Sequence, residues 1–222
     1  MSQESKTEPT TMAEKLWHCF AVVAKAGDEA TAMLDEIEKK LRAEDFEGFI
    51  HEYGKRIHAD KVEGEEREWV CLSETRNFFF KPDGQGNKKA DSILAVQVVF
   101  YSKEESKTGE QSVLNVMYGS TDEYDEFAEN YFGGGDVEKG DWKDAKLACG
   151  GRLVWFEDDN EVVEWAFSYP LHAIENAECI DTKIIEPIKK LLSGTHPEQM
   201  EEDLLKDALQ FVGKGADLKA VG

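Results

Sequence analysis

Between residues 68 and 169 the apolar side chains arrive in short β-branched and aromatic runs, each cut off by turn-forming residues, and this punctuation restricts the fold more than any other feature. The runs are 68–73, 77–81, 92–102, 112–118, 146–156 and 161–169. Pro82-Asp83-Gly84-Gln85-Gly86-Asn87, the charged stretch 103–110 and Glu157-Asp158-Asp159-Asn160 separate several of them, with the composition of turns and loops. Strands joined this way predict an antiparallel meander, and the last two runs predict a hairpin. Gly150-Gly151, inside the first arm of that hairpin, predicts a bulge.

Helical periodicity flanks the strands. The run Leu16 to Ala24, ending at Gly27, is rich in β-formers and predicts a first strand. Ala30, Met33, Leu34, Ile37 and Leu41 then recur at three and four residues, predicting a helix capped by Asp28. Phe46, Phe49, Ile50, Tyr53 and Ile57 predict a second helix, and Ser120-Thr121-Asp122-Glu123 a capping box for a short third one that stops at Gly133-Gly134-Gly135. Near the C-terminus Ile184, Ile185, Ile188, Leu191 and Leu192 share a helical face, with Pro187 either beginning or kinking it. Thr195-His196-Pro197-Glu198 opens a last helix bearing Met200, Leu204, Ala208 and Phe211.

The expected fold is α+β: a single mainly antiparallel sheet of about six to seven strands with helices packed on one face, in the order β-α-α-β-β-β-β-α-β-β-α-α. A tail over 1–13, a core domain over 14–194 and a C-terminal helix over 195–222 packed on that core are the expected divisions. The element order resembles the outline of a helix-grip domain, in which a curved sheet wraps a long C-terminal helix. No motif in the chain carries a ligand site over from that outline.

Charge bounds the partners. Against 26 Lys and Arg stand 47 Asp and Glu, a formal net charge of −21 on 222 residues. A phosphate backbone is held by cations that displace its counterions, so this chain is not expected to bind nucleic acid. Cys19, Cys71, Cys149 and Cys179 form no C-x-x-C pair and read as reduced thiols. No apolar run approaches the roughly 20 residues that span a bilayer, and no basic, apolar leader is visible, so the expected location is the cytoplasm, without membrane contact.

Candidate chemistry is sparse. His51 and His58 sit two turns apart on the predicted second helix, about 10 Å along its axis, too far to share a metal. His18 and Cys19 are adjacent on a predicted strand and point to opposite faces. The glycine triplet follows a helix instead of leading into one, the 83–87 loop lacks calcium-ligand spacing, and no G-x-S-x-G elbow occurs. Catalytic, cofactor-binding and metal residues are therefore assigned as none.

The carboxylates, however, are unevenly spread. Residues 121–164 hold 14 acids and four bases, interleaved with Tyr124, Tyr131, Trp142, Trp155 and Trp165. Acids around large aromatics suit steering of a basic partner toward an apolar anchor. The expectation is an acidic protein-binding or inhibitor protein of immunity type. Asp122, Glu126, Asp141, Asp158 and Asp159 are its steering charges and Trp142 its anchor. The alternative is a small-molecule-binding or catalytic domain with a pocket between the sheet and the C-terminal helices.

Overall fold

The structure, a computed structural model, describes residues 11–44, 46, 49–58, 73–80, 92–100, 111–120, 144–159, 161–214 and 217–221. It is an α+β fold built on one seven-stranded sheet. Helix α1 (Met12–Ala43) leads into strands β1 (Phe49–His58), β2 (Ser73–Phe80), β3 (Ser92–Val99) and β4 (Val113–Ser120). Strands β5 (Lys146–Ala148), β6 (Leu153–Asp158) and β7 (Glu161–Pro170) follow. Every pairing is antiparallel, in the order β1-β2-β3-β4-β7-β6-β5, so the late hairpin folds back and adds β7 beside β4.

Alternation along the strands gives the sheet two faces. On one, Phe78, Leu94, Val96, Val98, Leu114, Val116, Leu153, Trp155, Trp165, Phe167 and Tyr169 are buried under the inner half of α1 and the C-terminal helices. The other carries Ile93, Ala95, Val99, Val113, Met117, Val154 and Ala166, covered by Leu209, Phe211 and Leu218 around the small hairpin of β8 (Gln210–Val212) and β9 (Lys219–Val221). The second face also holds a polar row. Thr75, Gln97, Asn115 and Ser168 lie opposite one another across four strands, all buried. Ser168 Oγ donates to Asn115 Oδ1 at 2.8 Å, and Asn115 Nδ2 donates to Gln97 Oε1 at 3.2 Å. A slip of one residue would drive this row into the apolar face, so it pins the register.

Four elements differ from expectation, each for a local reason. The apolar run before Gly27 is helix, not strand: Thr11 caps α1 in a box with Glu14, and the 32-residue helix runs through Asp28 without a break. Strand propensity of Val22 and Val23 is worth only tenths of a kcal/mol against extending a helix already nucleated and docked at residues 30–41. Residues 49–58 are strand β1, which pairs with β2 along its full length past a bulge between Ile50 and Tyr53. Backbone hydrogen bonding to an open sheet edge overrode a short helical pattern. Among the described residues the single long helix is thus N-terminal, unlike the helix-grip outline.

The C-terminal segment is the third correction. Residues 197–212 form two 3-10 turns, Pro197–Gln199 and Glu202–Leu205, and then β8, instead of a helix. Met200 and Leu205 bury on the first face of the sheet while Leu209 and Phe211 bury on the second. A helix keeps its apolar stripe on one side; a chain crossing from face to face cannot be one. Fourth, Gly150-Gly151 lies in a left-handed turn, Cys149–Gly151, that ends β5. A Cβ on Gly151 would stand 2.6 Å from the Phe211 carbonyl oxygen, so this glycine lets β8 approach.

Pro187 stands in the first turn of an α-helical segment, α3 (Glu186–Leu192), that does not start afresh there: helix α2 (Ala177–Ile180) and a π-turn (Asp181–Ile185) lead into it without a break, and the missing N–H of the proline falls just where the bonding pattern widens. The expected helix after Ser120, the first part of the 68–73 run and the 82–87 and 103–110 connections lie outside the described residues.

An acidic hairpin as the candidate functional site

Two tryptophans fix the base of the β6–β7 hairpin. Trp155 and Trp165 face each other across the strands, 1% and 2% exposed, and Trp165 stacks on Tyr118 of β4 with ring centroids 5.5 Å apart. Both therefore serve the core and offer nothing to a partner. Lys146 of the edge strand pairs with Glu157, and its Nζ lies 4.8 Å from the Trp155 ring centre, which tethers β5 to the hairpin.

Toward the tip the strands turn acidic. After a bulge between Phe156 and Glu157, Asp158 stands directly opposite Glu161, and Asp159 makes the turn in a left-handed conformation (φ 48°) that an aspartate tolerates better than most side chains. Asp158, Asp159 and Glu161 are exposed, and among the described residues no lysine or arginine pairs with them. Like charges facing across a ladder destabilise it by some tenths of a kcal/mol. The rigid, wide base and the uncompensated tip make a prong that projects negative charge.

Of the expected partner-binding residues, Asp158 and Asp159 are thus brought together; Asp122, Glu126, Asp141 and Trp142 lie outside the described residues. His51 and His58 stand near opposite ends of β1, roughly 23 Å apart along a strand. Among the described residues, no group of three or more His, Cys, Asp or Glu has the arrangement to hold a metal ion. No helix among them is long and apolar enough to cross a membrane.

No family model, curated protein or solved structure matches the chain.

A second cluster of titratable groups lies where the C-terminal turns cross the sheet. Tyr169 donates its hydroxyl to the Leu204 carbonyl at 3.3 Å, Lys183 pairs with Asp207 at 2.7 Å, and Arg152 Nη1 donates to the Cys149 carbonyl at 3.4 Å. Burial pushes the Tyr169 hydroxyl well above its ordinary pKa, helped by Asp207; burial also pushes the Cys149 thiol up, helped by Glu202. Both stay neutral near pH 7, so neither acts as base or thiolate nucleophile there. The space between sheet and C-terminal helices is taken by Ile180, Ile184, Ile188, Leu191 and Leu205, all buried in the core. The cluster holds the crossing segment down.

Sequence reasoning missed two arrangements. Arg76 of β2, 2% exposed, reaches Glu74 at 2.5 Å and Asp35 of α1 at 2.7 Å, with Glu38 at 3.6 Å, while Thr31 donates to Glu74 at 2.8 Å. It bolts α1 to the sheet, and no local signal marks an arginine inside a strand as inward. The other is the exposed apolar half of α1, whose regular spacing was visible but was broken at Gly27 by the strand reading.

Proposed function

We propose that this chain is an acidic binding protein that docks on an electropositive protein surface, acting as an inhibitor of the partner in the manner of an immunity protein. The observation that carries it is the uncompensated carboxylate pair at the tip of a rigid hairpin, Asp158 opposite Glu161 with Asp159 between them. Such a pair weakens its own fold, and its use is to attract cations: in a chain of charge −21 the field at a projecting tip steers a basic surface toward it. In this reading Asp122, Glu126 and Asp141 are further steering charges and Trp142 the apolar anchor.

The test is capture with the immobilised full chain at low and high salt, followed by kinetics with the purified partner. Asp158→Lys/Asp159→Lys is expected to slow association at least tenfold or so and to flatten its salt dependence, while Trp142→Ala speeds dissociation. Association rates that ignore the charge reversal would remove the electrostatic docking.

A further inference from the structure

The buried polar row on the second face of the sheet is a directed chain of hydrogen bonds with one open end. Ser168 Oγ donates to Asn115 Oδ1 and Asn115 Nδ2 to Gln97 Oε1, so the acceptors are filled in turn from the β7 side. The chain stops at Gln97. Among the described residues its Nε2 finds no acceptor, and the hydroxyl of Thr75, directly opposite on β2, has no partner either. We propose that this open end is a binding site for a small uncharged amide, whose carbonyl oxygen accepts from Gln97 Nε2 and whose N–H donates to Thr75 Oγ.

Pinning the register does not require these two groups. Ser168, Asn115 and the Gln97 carbonyl already satisfy one another, and apolar side chains would close the β2 end as Ala95 and Val99 do on either side of Gln97. Amide and hydroxyl groups taken from water without a partner weaken a fold, and a bound ligand that supplies the partner removes that penalty. Exposure puts the mouth at the same end. Asn115 and Ser168 are 0% exposed, whereas Gln97 keeps 8% and Thr75 4%. Facing side chains on neighbouring strands stand about 5 Å apart at Cβ, so one ligand group reaches both.

Charge selects the class of ligand. The row carries no ionisable side chain, so an ion bound there would be buried without a counter-charge. The chain's net charge of −21 repels anions besides. A cation needs acceptors, and the open groups of Gln97 are N–H donors. A hydroxyl both donates and accepts, so Thr75 beside the Gln97 amide matches the adjacent C=O and N–H of a lactam. The site shares no residue with the acidic hairpin, and its test is independent of that reading.

Side-chain amide NMR of the full chain, with 2-pyrrolidinone as the probe, tests this. The Gln97 Nε2 resonances are expected to move downfield and to saturate with a dissociation constant of about 1–10 mM, the range a ligand of this size reaches. N-methyl-2-pyrrolidinone, which lacks the N–H, and acetate at equal ionic strength should each bind about tenfold more weakly. Thr75→Val should weaken binding of 2-pyrrolidinone about tenfold without lowering the urea midpoint, since the hydroxyl has no partner in the fold, and Thr75→Ser should keep the affinity. Absence of a saturable Gln97 shift, equal binding by Thr75→Val or by the N-methylated probe, or a urea midpoint that falls in Thr75→Val would each overturn the proposal, the last by giving the hydroxyl to the fold.

Discussion

Tyr169 couples the fold to alkaline pH. Its hydroxyl is held above the ordinary value of 10.0 by burial, with the negative charge of Asp207 adding to the effect. The unfolded chain therefore ionises first, so stability is complete below about pH 10 and falls as pH rises beyond it. Tyr169→Phe is expected to flatten that alkaline limb in pH-dependent urea titrations, while losing the hydrogen bond to Leu204 at a cost of about 1 kcal/mol. Asp207 has the opposite sign. Its hydrogen bond from Lys183 lowers its pKa, so the small stabilisation it gives is present above the ordinary carboxylate range and fades in acid. Because Asp207 is largely exposed, Asp207→Asn should cost under about 1 kcal/mol at neutral pH. At Gly27 the space is open, and Gly27→Ala should raise helix stability by about 0.5–1 kcal/mol, read by thermal melts.

Among the elements, the join between α1 and the sheet depends most on one side chain. Arg76 is buried with Glu74, and its charge is opposed by burial but sustained by its hydrogen bonds to Asp35 and Glu74. Taking the guanidinium away removes one cation from the 5%-exposed Glu74 and breaks the ion pair to Asp35, so Arg76→Ala should cost about 3–5 kcal/mol in urea unfolding. Arg76→Leu with Glu74→Leu should recover most of that, since an apolar pair replaces two buried charges together. The β6–β7 hairpin is the opposite case. Asp158→Lys turns a repulsive cross-strand pair into an attractive one and should stabilise the protein by some tenths of a kcal/mol, an effect that salt erodes. Gain of stability with loss of partner association in this one variant would separate a surface kept for binding from one kept for folding.

At the scale of the whole molecule, the acid excess sits on a fold whose first helix also carries exposed apolar side chains at Met12, Leu16, Trp17, Val22 and Val23. Much of the sheet was legible in the sequence because strands such as Ser92–Val99 and Glu161–Pro170 are β-branched, aromatic and bounded by polar turns, which are local properties. Asp158 and Asp159 were legible as a turn for the same reason. The helix over residues 12–27 and strand β1 were misread because short apolar runs carry both periodicities, and the decision belonged to neighbours: a helix already docked at 30–41, and the free edge of β2. Composition and spacing alone determined the antiparallel sheet, the −21 charge and the hairpin, since these depend on residues near one another in the chain. Which strand lies beside which, that Arg76 turns inward onto Asp35, and that the segment after Pro197 crosses between faces were decided only in three dimensions, where contacts between residues far apart in sequence outweigh local preferences of a few tenths of a kcal/mol.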